Sequence, residues 1–167
     1  RLMNIDLQYL NDLILKGLNL QLSEITPDLE CEEYFGFNFK INQTTFKFRK
    51  SKLTPKKIGQ FVTFWKRDLD GKTVPFDVND DFDFYIISIE ENENFGFFVF
   101  PKVILEKENL ISSEEKTGKR GFRIYADWHF PNNKQAEKTK LWQTKYFINY
   151  SDSEYFILNQ FRKIIKF

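Results

Sequence analysis

At 167 residues with 41% hydrophobic content, the chain fits one domain, residues 1–167, and is long enough to close its own core. No apolar run reaches the roughly 18 residues that a membrane span requires, and the single cysteine, Cys31, excludes an internal disulfide and a Cys-based metal site. The formal net charge of only +1 conceals a segregation of charge along the chain.

From Leu2 to Leu20, apolar residues recur at three- and four-residue spacing and predict an amphipathic helix, with Gly17 weakening its last turn and Asn19 as its stop. A boundary follows at Ile25-Thr26-Pro27-Asp28. Leu29 to Phe35 reads as a short second helix capped by Thr26 or Asp28, carrying Glu30, Glu32 and Glu33. Phe37, Phe39, Ile41, Phe46 and Phe48 lie largely at period two around an Asn42-Gln43 turn, which predicts a hairpin over 37–50. Thr54 and Pro55 fit an N-cap and first helical position, with Gly59 as the stop. A helix start beside lysines would be a phosphate seat. Gln60 to Arg67 is rich in β formers, and Asp70-Gly71 is a hairpin turn dipeptide.

Strands are expected over 82–90 and 95–101, both apolar at nearly every position and therefore covered on both faces. The first opens on Asp77, Asp80, Asp81 and Asp83, and the second runs into Lys102 after Pro101. An aspartate pointing into a covered face has to be paired, protonated or metal-bound, which singles out Asp83. A short helix over 103–109, a loop and a strand over 121–126 follow. His129, the only histidine, reads as a packed or capping residue. Asn132 or Asn133 caps a helix over 134–149, and a last helix spans 151–167.

Charge is distributed in blocks. Residues 47–72 carry +7, residues 73–101 carry −7 and residues 116–145 carry +6. Two basic blocks around an acidic one fit a polyanion-binding surface with a negative pocket inside it.

The strings TPKKIGQFVTFWKR, PFDVNDDFDFYI, GFFVFPKVIL, GKRGFRIY and the helix ending LWQTKYF resemble the MepB-like family of small bacterial proteins, over a core of about 35–148. The resemblance implies an α/β (α+β) protein with a central mixed, mostly antiparallel sheet flanked by helices, similar to the PD-(D/E)XK nuclease fold and binding nucleic acid. Strands 60–67, 82–90, 95–101 and 121–126 would form that sheet. Carried over by position, the fold's strand-start aspartate falls on Asp83, with Asp81 as competitor, and its lysine on Lys102. The acidic residue expected two positions before the lysine is Phe100. In such a site two carboxylates hold Mg²⁺ and the lysine stabilises charge on the phosphorane. With Phe100 in place, Asp81 or Glu33 would have to supply the second metal ligand beside Asp83.

Three functions follow as expectations. The first is a non-catalytic binder of a DNA or RNA phosphate backbone, needing no cofactor, with contacts from Lys56, Lys57, Lys66, Arg67, Lys119, Arg120, Arg123, Lys134 and Lys138. Gln60, Trp65, Trp142 and Gln143 would reach sugars or bases. The second is a Mg²⁺-dependent endonuclease using Asp81, Asp83 and Lys102. The third is a module that binds a protein partner. A lone cysteine and the lack of a signal peptide in a chain opening on Arg1 point to a reducing cytoplasm.

Overall fold

The alternating apolar residues of 37–50 fold as the expected hairpin in the computed structural model, which describes residues 4–166 apart from the side chains of residues 31–33. Strands β2 (Phe37–Ile41) and β3 (Thr44–Lys50) are joined at Asn42, which takes a φ of 56°. Ahead of them, Asn4 caps α1 (Ile5–Tyr9), its side chain accepting from the Leu7 N–H at 2.8 Å. A π-helical stretch, Leu10–Leu15, continues that helix, and Asn19 ends it with a φ of 59°. The segment before the hairpin is a strand, β1 (Leu22–Pro27), where a boundary is expected. It leads into a 3₁₀ helix, Leu29–Tyr34, whose Glu30 N–H is capped by Asp28.

The doubly covered strands are β8 (Phe84–Glu91) and β9 (Asn94–Pro101), paired antiparallel with Ile87 opposite Phe98. Among the described residues they lie inside a six-stranded sheet ordered β1-β2-β3-β8-β9-β11, where β11 is Phe147–Asn149. β3 and β8 run parallel and the other pairs antiparallel, so the sheet is mixed and mostly antiparallel as expected. Ile86, Phe97 and Val99 face the N-terminal helix and α4 (Glu154–Ile165), packing on Leu10, Ile14 and Phe161. On the opposite face Tyr85, Ile87, Phe98 and Phe100 share a core with Leu105, Phe122 and Ile124. Each fully buried Phe of these layers contributes about 1.5–3 kcal/mol relative to exposure.

Two expected strands lie elsewhere. Gln60–Arg67 splits at Phe64 into β5 (Gln60–Thr63) and β6 (Trp65–Arg67). β5 pairs with β4 (Lys52–Leu53) and β10 (Gly121–Ile124) in a separate three-stranded sheet, and β6 pairs with β7 (Thr73–Pro75). The four-strand sheet expected from 60–67, 82–90, 95–101 and 121–126 is thereby corrected. Both flanks of the β8–β9 pair are taken, by β3 and β11, so β5 and β10 pack face-on, burying Val62, Phe122 and Ile124. The expected helix at 54–59 is a turn, with Lys56 at φ 64° and Gly59 at φ +82°. The helical phosphate seat there is therefore absent.

α2 (Lys102–Lys107) and α3 (Lys134–Gln143) complete the fold, α3 being capped by the Asn133 side chain on the Ala136 N–H. α3 stops short of 149 because Phe147 and Ile148 alternate into the two cores as β11. Among the described residues no helix is long and apolar enough to cross a membrane.

Candidate functional site

The acidic start of the β8–β9 hairpin is a self-satisfied turn. The Asp77 N–H donates to Asp80 Oδ2 and the Asn79 N–H to Asp77 Oδ1, both at 2.7 Å. Lys66 Nζ bridges Asp80 at 2.7 Å and Asp77 at 3.2 Å. Burial pulls the Lys66 ammonium down, but its hydrogen bonds to Asp80 and Asp77 outweigh that and hold it above its ordinary 10.5. Burial likewise pushes Asp77 up, yet the Asn79 N–H, then Lys66 and Lys102, leave its carboxyl below the usual 3.8. A carboxyl so lowered stabilises the fold fully above 3.8 and loses that contribution as the pH falls further. The melting-temperature gap between the parent and Asp77→Asn is therefore expected at pH 6 and should close below pH 3.8. A pH series of thermal melts checks it.

Asp83 precedes β8 and is exposed, correcting its expected place on a covered face; its Oδ2 accepts from the Thr45 N–H at 2.9 Å. Asp81 is exposed as well. The Lys102 backbone N–H bonds the Asp83 carbonyl, but the Lys102 ammonium donates to the carbonyl of Asp80 and lies 4.9 Å from the Phe82 ring centre. Phe100 is fully buried, 5.3 Å from the Trp142 ring. Glu33 lies outside the described side chains. Among the described residues no three His, Cys, Asp or Glu side chains converge to hold a metal. Asp81, Asp83 and Lys102 thus do not fit the Mg²⁺ centre of a nuclease.

The basic residues are arranged differently. Four depressions adjoin along the three-stranded sheet and the β6–β7 hairpin. One, of about 250 Å³, is lined by Lys56, Lys57 and Arg123. It shares Arg123 and Asn133 with a second, of about 460 Å³, which reaches Lys119 and Trp142. Lys119 also lines a third, with Arg120, and Pro75 and Thr117 connect that to a fourth holding Lys66 and Arg67. Along this path seven basic side chains face three acidic ones, Glu108, Asp68 and Asp77. The two basic sequence blocks meet here because β10 pairs with β5, placing Arg123 opposite Phe61. Arg123 also holds the 54–58 turn in place, donating to Thr54 Oγ1 and the Ile58 carbonyl, both at 2.9 Å.

The remaining candidates divide. Gln60 is buried, accepting from Ser51 Oγ at 2.7 Å and donating to the Glu90 carbonyl at 2.8 Å. Gln143 is fully buried, accepting from the Tyr125 N–H and donating to the Arg123 carbonyl. Both are internal struts: Gln60 lines none of these depressions, which corrects its expected role, and Gln143 lines the second depression while fully engaged with the backbone. Trp142 is half-buried, packed on Phe100 yet lining the second depression. Trp65 lies 5.2 Å beneath the Arg67 guanidinium. Lys134 and Lys138 are exposed on α3, and the i, i+3 and i, i+4 spacings set Lys138 beside Gln135 and Trp142 on the rim. Lining residues that the sequence reasoning did not mark as candidates include Phe61, Asn133 (noted there as a cap only), Gln135 and Thr139.

A comparison with known families matches residues 28–149 to the MepB-like family. No curated protein matches the chain. Among solved structures, one titled "Crystal Structure of MepB" superposes with a TM-score of 0.78 at 28% identity, covering 90% of this chain and 100% of that one.

Proposed function

This chain belongs to the MepB-like family, and from that premise we propose that it binds the phosphate backbone of a nucleic acid, without catalysis, along the run of adjoining basic depressions. The observation that carries the reading is their continuity: Lys56, Lys57, Arg123, Lys119, Arg120 and Arg67 line one path although they come from distant segments. A phosphate chain needs such a track of fixed cations, because its affinity comes chiefly from releasing condensed counterions. Lys66 is the weakest member, since Asp77 and Asp80 already neutralise it.

The test is an affinity series for labelled DNA and RNA from low to high salt. The reading predicts a linear fall of log affinity with log salt, with a slope of about −0.9 per phosphate neutralised on duplex and about −0.7 on single strands. Absence of binding at low salt would overturn it.

A further inference from the structure

We propose that the depression of about 460 Å³ between the β5–β10 pair and α3 receives one unpaired base, with Phe61 as its stacking surface, so that the preferred ligand is single-stranded. The inference rests on the groove reading above and narrows it from any phosphate chain to one whose bases are free to turn outward.

Phe61 is an aromatic residue in an unusual position for this chain. The other phenylalanines around it, Phe64 and Phe122, are buried in the core, whereas Phe61 is half-buried and belongs to neither core cluster. Register places Lys52, Phe61 and Arg123 in one row across the three strands. Their neighbours Gln60, Val62 and Ile124 point inward and are buried. The ring thus has Arg123 beside it on β10 within the lining of the depression, while the Lys52 ammonium on β4 lies 4.5 Å over the Tyr34 ring. Gly121 makes room for it: a Cβ there would stand 2.5 Å from Phe61 Cζ.

The opposite wall offers what a base edge needs. The N-cap Asn133 and, on α3, Gln135 and Thr139 line the same cavity. The Asn133 oxygen is held by the Ala136 N–H and the Thr139 hydroxyl donates to the Gln135 carbonyl. This leaves the Asn133 amide N–H groups to donate, the Thr139 oxygen to accept and the exposed Gln135 amide to do both. Arg123 is anchored by Thr54 and Ile58, while its buried Nε has no hydrogen-bond partner among the described residues. The volume lies within the range of small-ligand pockets, about 300–1,000 Å³. A paired base within a duplex cannot enter such a recess, whereas an unpaired one can stack on an aromatic face and place phosphates on Arg123 and Lys119 of the same lining.

The experiment compares 15-nucleotide oligo-dT, oligo-rU and a duplex of the same length by fluorescence anisotropy at one salt concentration. The single strands are expected to bind more tightly than the duplex, the two arms reporting whether deoxyribose or ribose is preferred. Phe61→Ala is expected to weaken single-strand binding by about 10- to 100-fold and to leave duplex binding unchanged. Phe61→Trp, which keeps the stacking face, should bind as tightly as the parent, and this arm stands even if the alanine variant folds poorly. Equal single-strand affinity in a folded Phe61→Ala, or a preference for duplex, overturns the inference and leaves the groove reading standing. Failure of all three nucleic acids to bind overturns both.

Discussion

Asp28→Ala is expected to lower the unfolding free energy by about 3 kcal/mol, more than any exposed charge removed from this protein. Arg49 is fully buried on β3, and its Nη2 lies 2.5 Å from Asp28 Oδ2. Its other guanidinium bond goes to the Phe48 carbonyl, and its Nε has no hydrogen-bond partner among the described residues. Removing the carboxylate strands a cation where water cannot reach it, which breaking a buried pair makes worth about 3–5 kcal/mol. The lower end applies because the Asp28 side chain is 12% exposed. Urea denaturation measures the loss as a fall in midpoint at unchanged slope. Adding Arg49→Met should restore more than half of it, since the stranded charge is then gone. By contrast Asp12→Ala, which breaks the exposed pair with Lys16 at 3.3 Å, should stay within about 0.5 kcal/mol.

Reversing two groove charges should have the largest effect on binding. Lys57 and Lys119 are exposed and line successive depressions, so Lys57→Glu with Lys119→Glu leaves the packing intact. Arg123 is a poorer choice, because it ties β10 to the 54–58 turn. The double variant is expected to bind at least about tenfold more weakly, with a salt dependence shallower by about two in slope. A control with the same change in net charge, Lys16→Glu with Lys163→Glu, lies on the helices beyond the other face of the central sheet. It should bind like the parent.

How much of this was readable beforehand depended on whether a feature was local. The 37–50 hairpin, the doubly covered strands from 84 to 101, the Asn19 stop, the Asp28 and Asn133 caps and the packed His129 all follow from spacing or single-residue chemistry. The buried His129 accepts from the Ala126 N–H and meets Glu91 at 2.7 Å. What the order of residues hides is which strands share a sheet. β5 and β10 find each other across some sixty residues of chain, and nothing in QFVTFWKR marks the break at Phe64. β1 escapes because its residues are mostly exposed and lack an apolar alternation.

Charges were legible as blocks but not as roles. Lys50 is spent on Asp6 at 3.1 Å and Glu90 at 3.2 Å, and Arg49 on Asp28, so both leave the basic surface. Gln60 and Gln143 read as surface residues because nothing in a sequence announces that a backbone donor and acceptor await a buried amide. The acidic cluster of 77–83 misled for a related reason. Four carboxylates close in sequence suggest a metal, but here Asp77, Asp80 and Asp83 are apportioned to backbone N–H groups and Lys66, and Asp81 is exposed.

The central claim, that one face carries the phosphate chain, is tested most directly by lysine acetylation footprinting with and without a bound single-stranded oligonucleotide, read by mass spectrometry. Lys56, Lys57 and Lys119 are predicted to become protected together, while Lys16 and Lys163 label as before. Protection of Lys16 and Lys163 instead, or none at the three groove lysines under binding conditions, would contradict it.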